Sequence, residues 1–162
     1  MPRKKSKIKI LEKECEKLMN EIAELLWEKE CLVCKSKEKV LIHHFIPRKL
    51  AKHLVYNPIN WIFLCQKCHF SLHKRENHTI SVEIYKKKGE DWYKRLISLY
   101  KEKPIKMSRK KFLEIEKAKL LSLRRTLSLR HALLLEICKK YLKEGKQGSG
   151  AILRPIFREF LR

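Results

Sequence analysis

The chain is 162 residues long and carries 40 Lys and Arg against 18 Asp and Glu, a formal net charge of +22. A surplus that large is unusual for a small soluble domain and points to a polyanionic partner, nucleic acid first, with a merely solvated lysine-rich surface as the plain alternative. No run approaches the ~18 apolar residues of a membrane span, and Met1-Pro2-Arg3-Lys4-Lys5 opens a charged segment rather than a signal region, so an intracellular, cytoplasmic protein away from membranes is expected.

Between Ile8 and Trp27, the apolar residues Leu11, Cys15, Leu18, Ile22 and Leu25 recur at steps of four and three, with Glu and Lys on the other faces. This predicts an amphipathic helix. From Cys31 to Lys74 the helical period is lost. Short apolar runs at Val40-Leu41-Ile42 and Trp61-Ile62-Phe63-Leu64, with Pro47, Asn57 and Pro58 between them, predict two short strands around a loop. Cys68 to Arg75 contains no breaker, and its two histidines, His69 and His73, are four apart on one helical face.

Residues 81–101 read as helical around Ile84, Tyr85, Trp92, Leu96 and Leu99, interrupted near Gly89, and Pro104 marks a boundary. From Ser108 to Glu144, Leu113, Leu120, Leu127, Leu134 and Tyr141 recur every seventh residue, but Glu116 and Arg130 interrupt the companion position held by Leu123 and Ile137. A long helix is expected, without a pure coiled-coil seam. Its leucines are left to pack on the N-terminal helix or on a second subunit, the latter giving a homodimer through this helix. Gly145 to Gly150 reads as a linker, followed by a short helix near Pro155.

Four of the six cysteines form two pairs, Cys31-x-x-Cys34 and Cys65-x-x-Cys68, in a chain without a signal region. Metal ligation is therefore expected over disulfides, and four thiolates at this spacing suit a closed tetrahedral Zn²⁺ site. The zinc would be structural, because a core of this size buries too little apolar surface to hold itself together. Cys15 and Cys138, in helical patterns, read as buried small apolar groups. His53, His78 and His131 fall outside the motif and read as surface or packing residues.

Between and after the thiol pairs lie His43-His44, Asn60, His69 and His73. Leu41-Ile42-His43-His44-Phe45-Ile46-Pro47-Arg48, Asn60 and Leu64-Cys65-Gln66-Lys67-Cys68-His69 together resemble the HNH endonuclease, or ββα-metal, family. The resemblance covers about residues 31–75. It implies an α+β fold, a small zinc-stapled ββα-metal core with an N-terminal helix and a helical C-terminal extension. Four segments follow: 1–30, 31–75, 76–103 and 104–162.

The resemblance further implies that His44 is the general base, that Asn60 orients it, and that His43 and His69 hold a catalytic divalent ion, with His73 similar to an extra ligand in some members. Chemically, a neutral imidazole can take a proton from water at neutral pH, and an Asn can hold the ring's tautomer or fix a loop. Asn60→Ala is expected to damage rate more than folding. Many members have Asp where this chain has His43, so the metal stays open: Mg²⁺ or Mn²⁺ first, with Ni²⁺ and Zn²⁺ also allowed.

The expected activity is metal-dependent hydrolysis of DNA phosphodiester bonds, as a nick or a double-strand cut. The alternatives are a noncatalytic zinc-dependent nucleic-acid-binding protein, and a nuclease of structured RNA or branched DNA. Arg48, Lys67, Lys74 and Arg75 beside the motif, and Arg124 and Arg125 on the long helix, are the expected phosphate contacts. Small size and basic appendages suggest a phage or mobile-element setting.

Overall fold

The computed structural model describes residues 7–73, 79–102 and 104–143, with side chains through residue 136. Lys74, Arg75, His78, the stretch 145–150 and the helix expected near Pro155 lie outside the described residues, as does the side chain of Cys138.

The first amphipathic pattern forms α1 (Lys7–Leu26) and the long C-terminal pattern forms α5 (Arg109–Lys143). The two helices run parallel, because Glu12 pairs with Arg109, Glu14 with Lys117 and Glu21 with Arg124, both sets of numbers rising together. Between these pairs Cys15, Leu18 and Ile22 of α1 and Leu113 and Leu120 of α5 are buried. Exposed ion pairs contribute only ~0–1 kcal/mol each, so the leucines supply the attraction and the charges select the register. Glu116 interrupts the apolar seam as a buried carboxylate, and Lys119 neutralises it at 2.9 Å. Ser108 starts α5, its hydroxyl accepting from the Lys111 N–H at 3.3 Å.

The apolar runs form β1 (Val40–His44) and β2 (Trp61–Cys65), an antiparallel ribbon with Val40 opposite Cys65 and His44 opposite Trp61. All of β2 is buried, whereas β1 exposes Leu41. The last residue of β2 is followed at once by α2 (Gln66–His73) with no intervening loop.

Two further helices, α3 (Thr79–Lys88) and α4 (Glu90–Lys101), meet at Gly89. Its φ of 87° lies where an L side chain is strained, which explains the break in the pattern. Glu90 and Asp91 then place negative charge on the first turn of α4. Leu96 of α4 packs on Ile46, Ala51 and Leu54 of the connection between the strands. The Trp92 indole N–H donates to the Ile59 carbonyl at 2.8 Å, and the His53 ring donates to the Leu99 carbonyl at 3.1 Å. So α4 braces the connection from outside while α1 closes it from the other side. The fold is α+β, and no helix among the described residues is long and apolar enough to cross a membrane.

Candidate active site and metal centres

The two thiol pairs converge. Cys65 ends β2, Cys68 lies three residues on in α2, and Cys31 and Cys34 sit on a turn that folds over them. The turn is closed by the Cys31 N–H on the Ser36 carbonyl at 2.8 Å and the Lys35 N–H on the Cys31 carbonyl at 2.9 Å, with Lys35 at φ 63°. All four sulfurs lie within 4.8 Å of one another, and Cys34 and Cys65 are 3.6 Å apart. Tetrahedral Zn–S bonds of ~2.3 Å require sulfurs ~3.8 Å apart, so an all-sulfur set with this spacing fits a zinc ion. Burial pushes the Cys31 thiol up, but the backbone N–H groups of Cys34, Cys65 and Val33 outweigh it and bring it down to about 7, favouring thiolate. Cys15, by contrast, is buried with its sulfur 3.7 Å from the Leu113 carbonyl, and burial pushes its thiol up to about 11, so it behaves as a small apolar group.

A second donor cluster lies on the face of the ribbon covered by α2. His43 projects from β1, and His69 and His73, one helical turn apart, meet it from α2. One ring nitrogen from each lies within 4.8 Å of the others, and the Nε2 atoms of His69 and His73 are 3.2 Å apart. Burial, followed by the neighbouring His69, His73 and His44, lowers His43 to about 4. Burial and His73 lower His69 as well. Neutral rings with their lone pairs available are what a divalent ion needs, so this set fits a metal that accepts three imidazoles.

His44, the next residue on β1, faces the opposite side of the ribbon. It is buried, and its Nε2 lies 2.8 Å from the Val55 carbonyl. A carbonyl only accepts, so Nε2 carries the hydrogen and the lone pair is on Nδ1. The same carbonyl takes the Trp61 indole N–H at 2.9 Å, which fixes it in place. Burial lowers His44 from its ordinary value and Arg48 adds to this, outweighing the Val55 carbonyl and Glu16, which raise it, so the neutral ring is favoured at pH 7.

Asn60 forms no hydrogen bond with His44 among the described residues. Its Oδ1 accepts from the Ile46 N–H at 2.7 Å, and its amide hydrogens go to the carbonyls of Ile46 at 3.1 Å and Leu54 at 3.4 Å. Of the two roles open to an Asn here, it plays the loop-fixing one, and the direct contact on the ring comes from Val55. No side chain announces a backbone carbonyl, which is why Val55 has no signal in the sequence.

Arg48 reaches the ring from the strand connection, its Nε 3.4 Å from His44 Nδ1 and its Nη1 3.3 Å from Glu16 on α1. Lys67 is exposed at the start of α2. Arg124 is paired with Glu21 at 2.6 Å and faces α1 rather than standing free, whereas Arg125 is exposed. Glu16 and Arg109, residues outside the motif, had no signature that would single them out.

Residues 31–75 match the family model described as HNH endonuclease, a little over a quarter of the chain, and the match spans both donor clusters and His44. No curated protein and no solved structure matches the chain. An HNH domain indicates a nuclease or nucleic-acid-related function, and the four-cysteine cluster could hold zinc beside it.

Proposed function

We propose, on the premise that residues 31–75 form an HNH domain, that the protein is a metal-dependent endonuclease that hydrolyses DNA phosphodiester bonds. The observation that carries the reading is the pairing of His43 and His44 on one strand. One belongs to a three-imidazole donor set, and the other is a neutral ring with a defined tautomer and its lone pair on Nδ1. A phosphate placed against both lies across the edge of the ribbon.

His44 accepts a proton at Nδ1 from the water that attacks phosphorus, and the imidazolium so formed is held by the Val55 carbonyl on Nε2. Asn60 keeps the connection carrying Val55 and Arg48 in register with β1. A divalent ion held by His43, His69 and His73, Mg²⁺ or Mn²⁺ first with Ni²⁺ or Zn²⁺ as the other choices, would polarise the scissile phosphate and stabilise the departing 3′ oxygen. The products are 5′-phosphate and 3′-hydroxyl ends. The thiol cluster takes no part in the chemistry and serves to hold β2, α2 and the Cys31 turn together. Segment 31–75 thus supplies the reaction, while α1, α3, α4 and α5 brace it.

The test is nicking of supercoiled plasmid by the wild type and His44→Ala, each zinc-loaded and supplied in turn with Mg²⁺, Mn²⁺, Ni²⁺ or added Zn²⁺. Metal-dependent nicking by the wild type that is lost in the variant, with zinc content unchanged, supports the reading. Inactivity of both on plasmid, branched DNA and RNA would leave the noncatalytic nucleic-acid-binding reading in its place.

A further inference from the structure

On the side of the ribbon away from the three-imidazole cluster, a groove of about 360 Å³ is lined in part by Val55 and Arg48, the two residues that hydrogen-bond the His44 ring. Arg48, Lys49 and Lys52 from the strand connection and Arg109 from the start of α5 line it, facing Glu12 and Glu16 from one side of α1. Four cations against two carboxylates make the groove attractive to an anion. Three separate parts of the chain build it, and two of them lie outside residues 31–75.

The two carboxylates are each engaged by one arginine. Glu12 takes Nε and Nη2 of Arg109 at 3.3 and 3.0 Å, and Glu16 takes Nη1 of Arg48 at 3.3 Å. Lys49 and Lys52 are exposed and form no ion pair among the described residues. Arg48 also directs its Nε at the Nδ1 of His44. In this arrangement the guanidinium shares the lone pair that a reacting water must reach.

We propose that this groove is a subsite for a backbone phosphate next to the scissile one, in which Arg48 and Arg109 exchange the α1 carboxylates for phosphate oxygens. The inference rests on the endonuclease reading for what lies beside the groove, though not for the binding itself. Guanidinium groups suit phosphate because they offer paired N–H donors in one plane, and exposed carboxylate pairs are weak enough to be displaced. Successive phosphates on one strand follow every ~3.4 Å of helix axis, so a strand presenting one phosphate to His44 carries its neighbours along the adjoining surface. The exchange draws Arg48 off His44 Nδ1, so engagement of the strand and exposure of the base occur together. The same helices that brace the fold thereby take part in holding the substrate.

The experiment measures equilibrium binding of a labelled DNA duplex and the matching RNA duplex to the zinc-loaded full chain without other divalent metal, from about 50 to about 200 mM salt. Arg109→Ala and Lys52→Ala are each expected to weaken binding several-fold and to flatten the slope of log K against log salt by about 0.9. The Glu12→Gln/Glu16→Gln double variant is expected to bind more tightly than the parent. Lys52→Ala breaks no ion pair among the described residues, so it keeps the test independent of any disturbance of the α1–α5 contact. Parental affinity and slope in both Arg109→Ala and Lys52→Ala, on both duplexes, overturn the subsite, and an unchanged double variant overturns the exchange. Plasmid nicking by the parent is scored separately. Flattened slopes without nicking would sink the endonuclease reading and leave the groove standing.

Discussion

Asn60→Ala is the perturbation whose magnitude the structure defines best. Asn60 is fully buried and its side chain makes three hydrogen bonds, all to the connection between the strands. Truncation leaves the buried Ile46 N–H, now bonded at 2.7 Å, without its acceptor, which costs about 1–3 kcal/mol. The Ile46 carbonyl at 3.1 Å loses a donor worth about 1 kcal/mol, and the longer bond to Leu54 adds little. The sum is roughly 2–4 kcal/mol, or roughly 5–15 °C in midpoint for a chain of this size. The measurement is thermal and urea unfolding of zinc-loaded wild type and variant, followed by nicking at a temperature where both are folded. Expected is a large stability loss accompanied by a smaller activity loss, the reverse of what the motif alone suggests. A stability change below about 0.5 kcal/mol with nicking abolished would refute this, because it would mean that Asn60 acts on the reaction and not on the loop.

Cys34→Ser or exhaustive chelation should remove the thiol-bound metal, and metal analysis together with near-ultraviolet circular dichroism should report loss of packing around Trp61; retention of a native spectrum without zinc would contradict a structural role. His69→Ala should abolish nicking while leaving the thiol-bound zinc at parental stoichiometry. Burial lowers His44 below its ordinary 6.5, and the reaction needs the neutral ring, so nicking should rise with pH along an acid limb centred below 6.5 and be level above it; a limb above 7 would count against His44. Lys88, packed 4.7 Å from the Trp27 ring, is lowered from 10.5 by burial, so the folded state holds its proton less well than the unfolded state. Its contribution to stability is therefore full above 10.5 and is lost as pH falls through the lower folded value. Lys88→Met should accordingly raise the melting midpoint at pH 7, with a gain that shrinks as pH approaches 10.5; a loss at pH 7 would show that the contact with Trp27 dominates.

Wherever one side chain carries the signal, the architecture was legible. The steps of four and three through Leu11, Cys15, Leu18 and Ile22 marked α1, the two apolar runs marked β1 and β2, and Gly89 marked the break between α3 and α4, because burial on one face and φ restriction leave local traces. The donor types in both clusters were likewise readable, since spacing within a turn or a helix is local. What escaped depends on distant parts of the chain or on the backbone. The packing of the long helix on the N-terminal one was among the expectations, but the individual partners were not: Glu12 meets Arg109 from 97 positions away and Glu16 meets Arg48 from 32, and nothing near either glutamate foretold them. The Val55 carbonyl is invisible to any reading by residue type, and Asn60 could be given a role only once its bonds were located.

The loopless passage from β2 into α2 constrains chain length as well as residue type. Cys68 belongs to the four-thiol set and His69 and His73 to the three-imidazole set, so a single short helix sets the angle between the two donor clusters. One residue inserted between Trp61 and Gln66 would shift the pleat by one and reverse which face each strand residue presents. One inserted between Gln66 and His69 would turn the rest of α2 by about 100°, carrying the imidazoles away from His43 while the first thiol stayed in place. The connection from Phe45 to Ile59 is held at chosen points by Asn60, Trp92 and His53, and can take added length between those points. Variation in length should therefore be tolerated between the anchored points of the Phe45–Ile59 connection and rejected from Asn60 to His73.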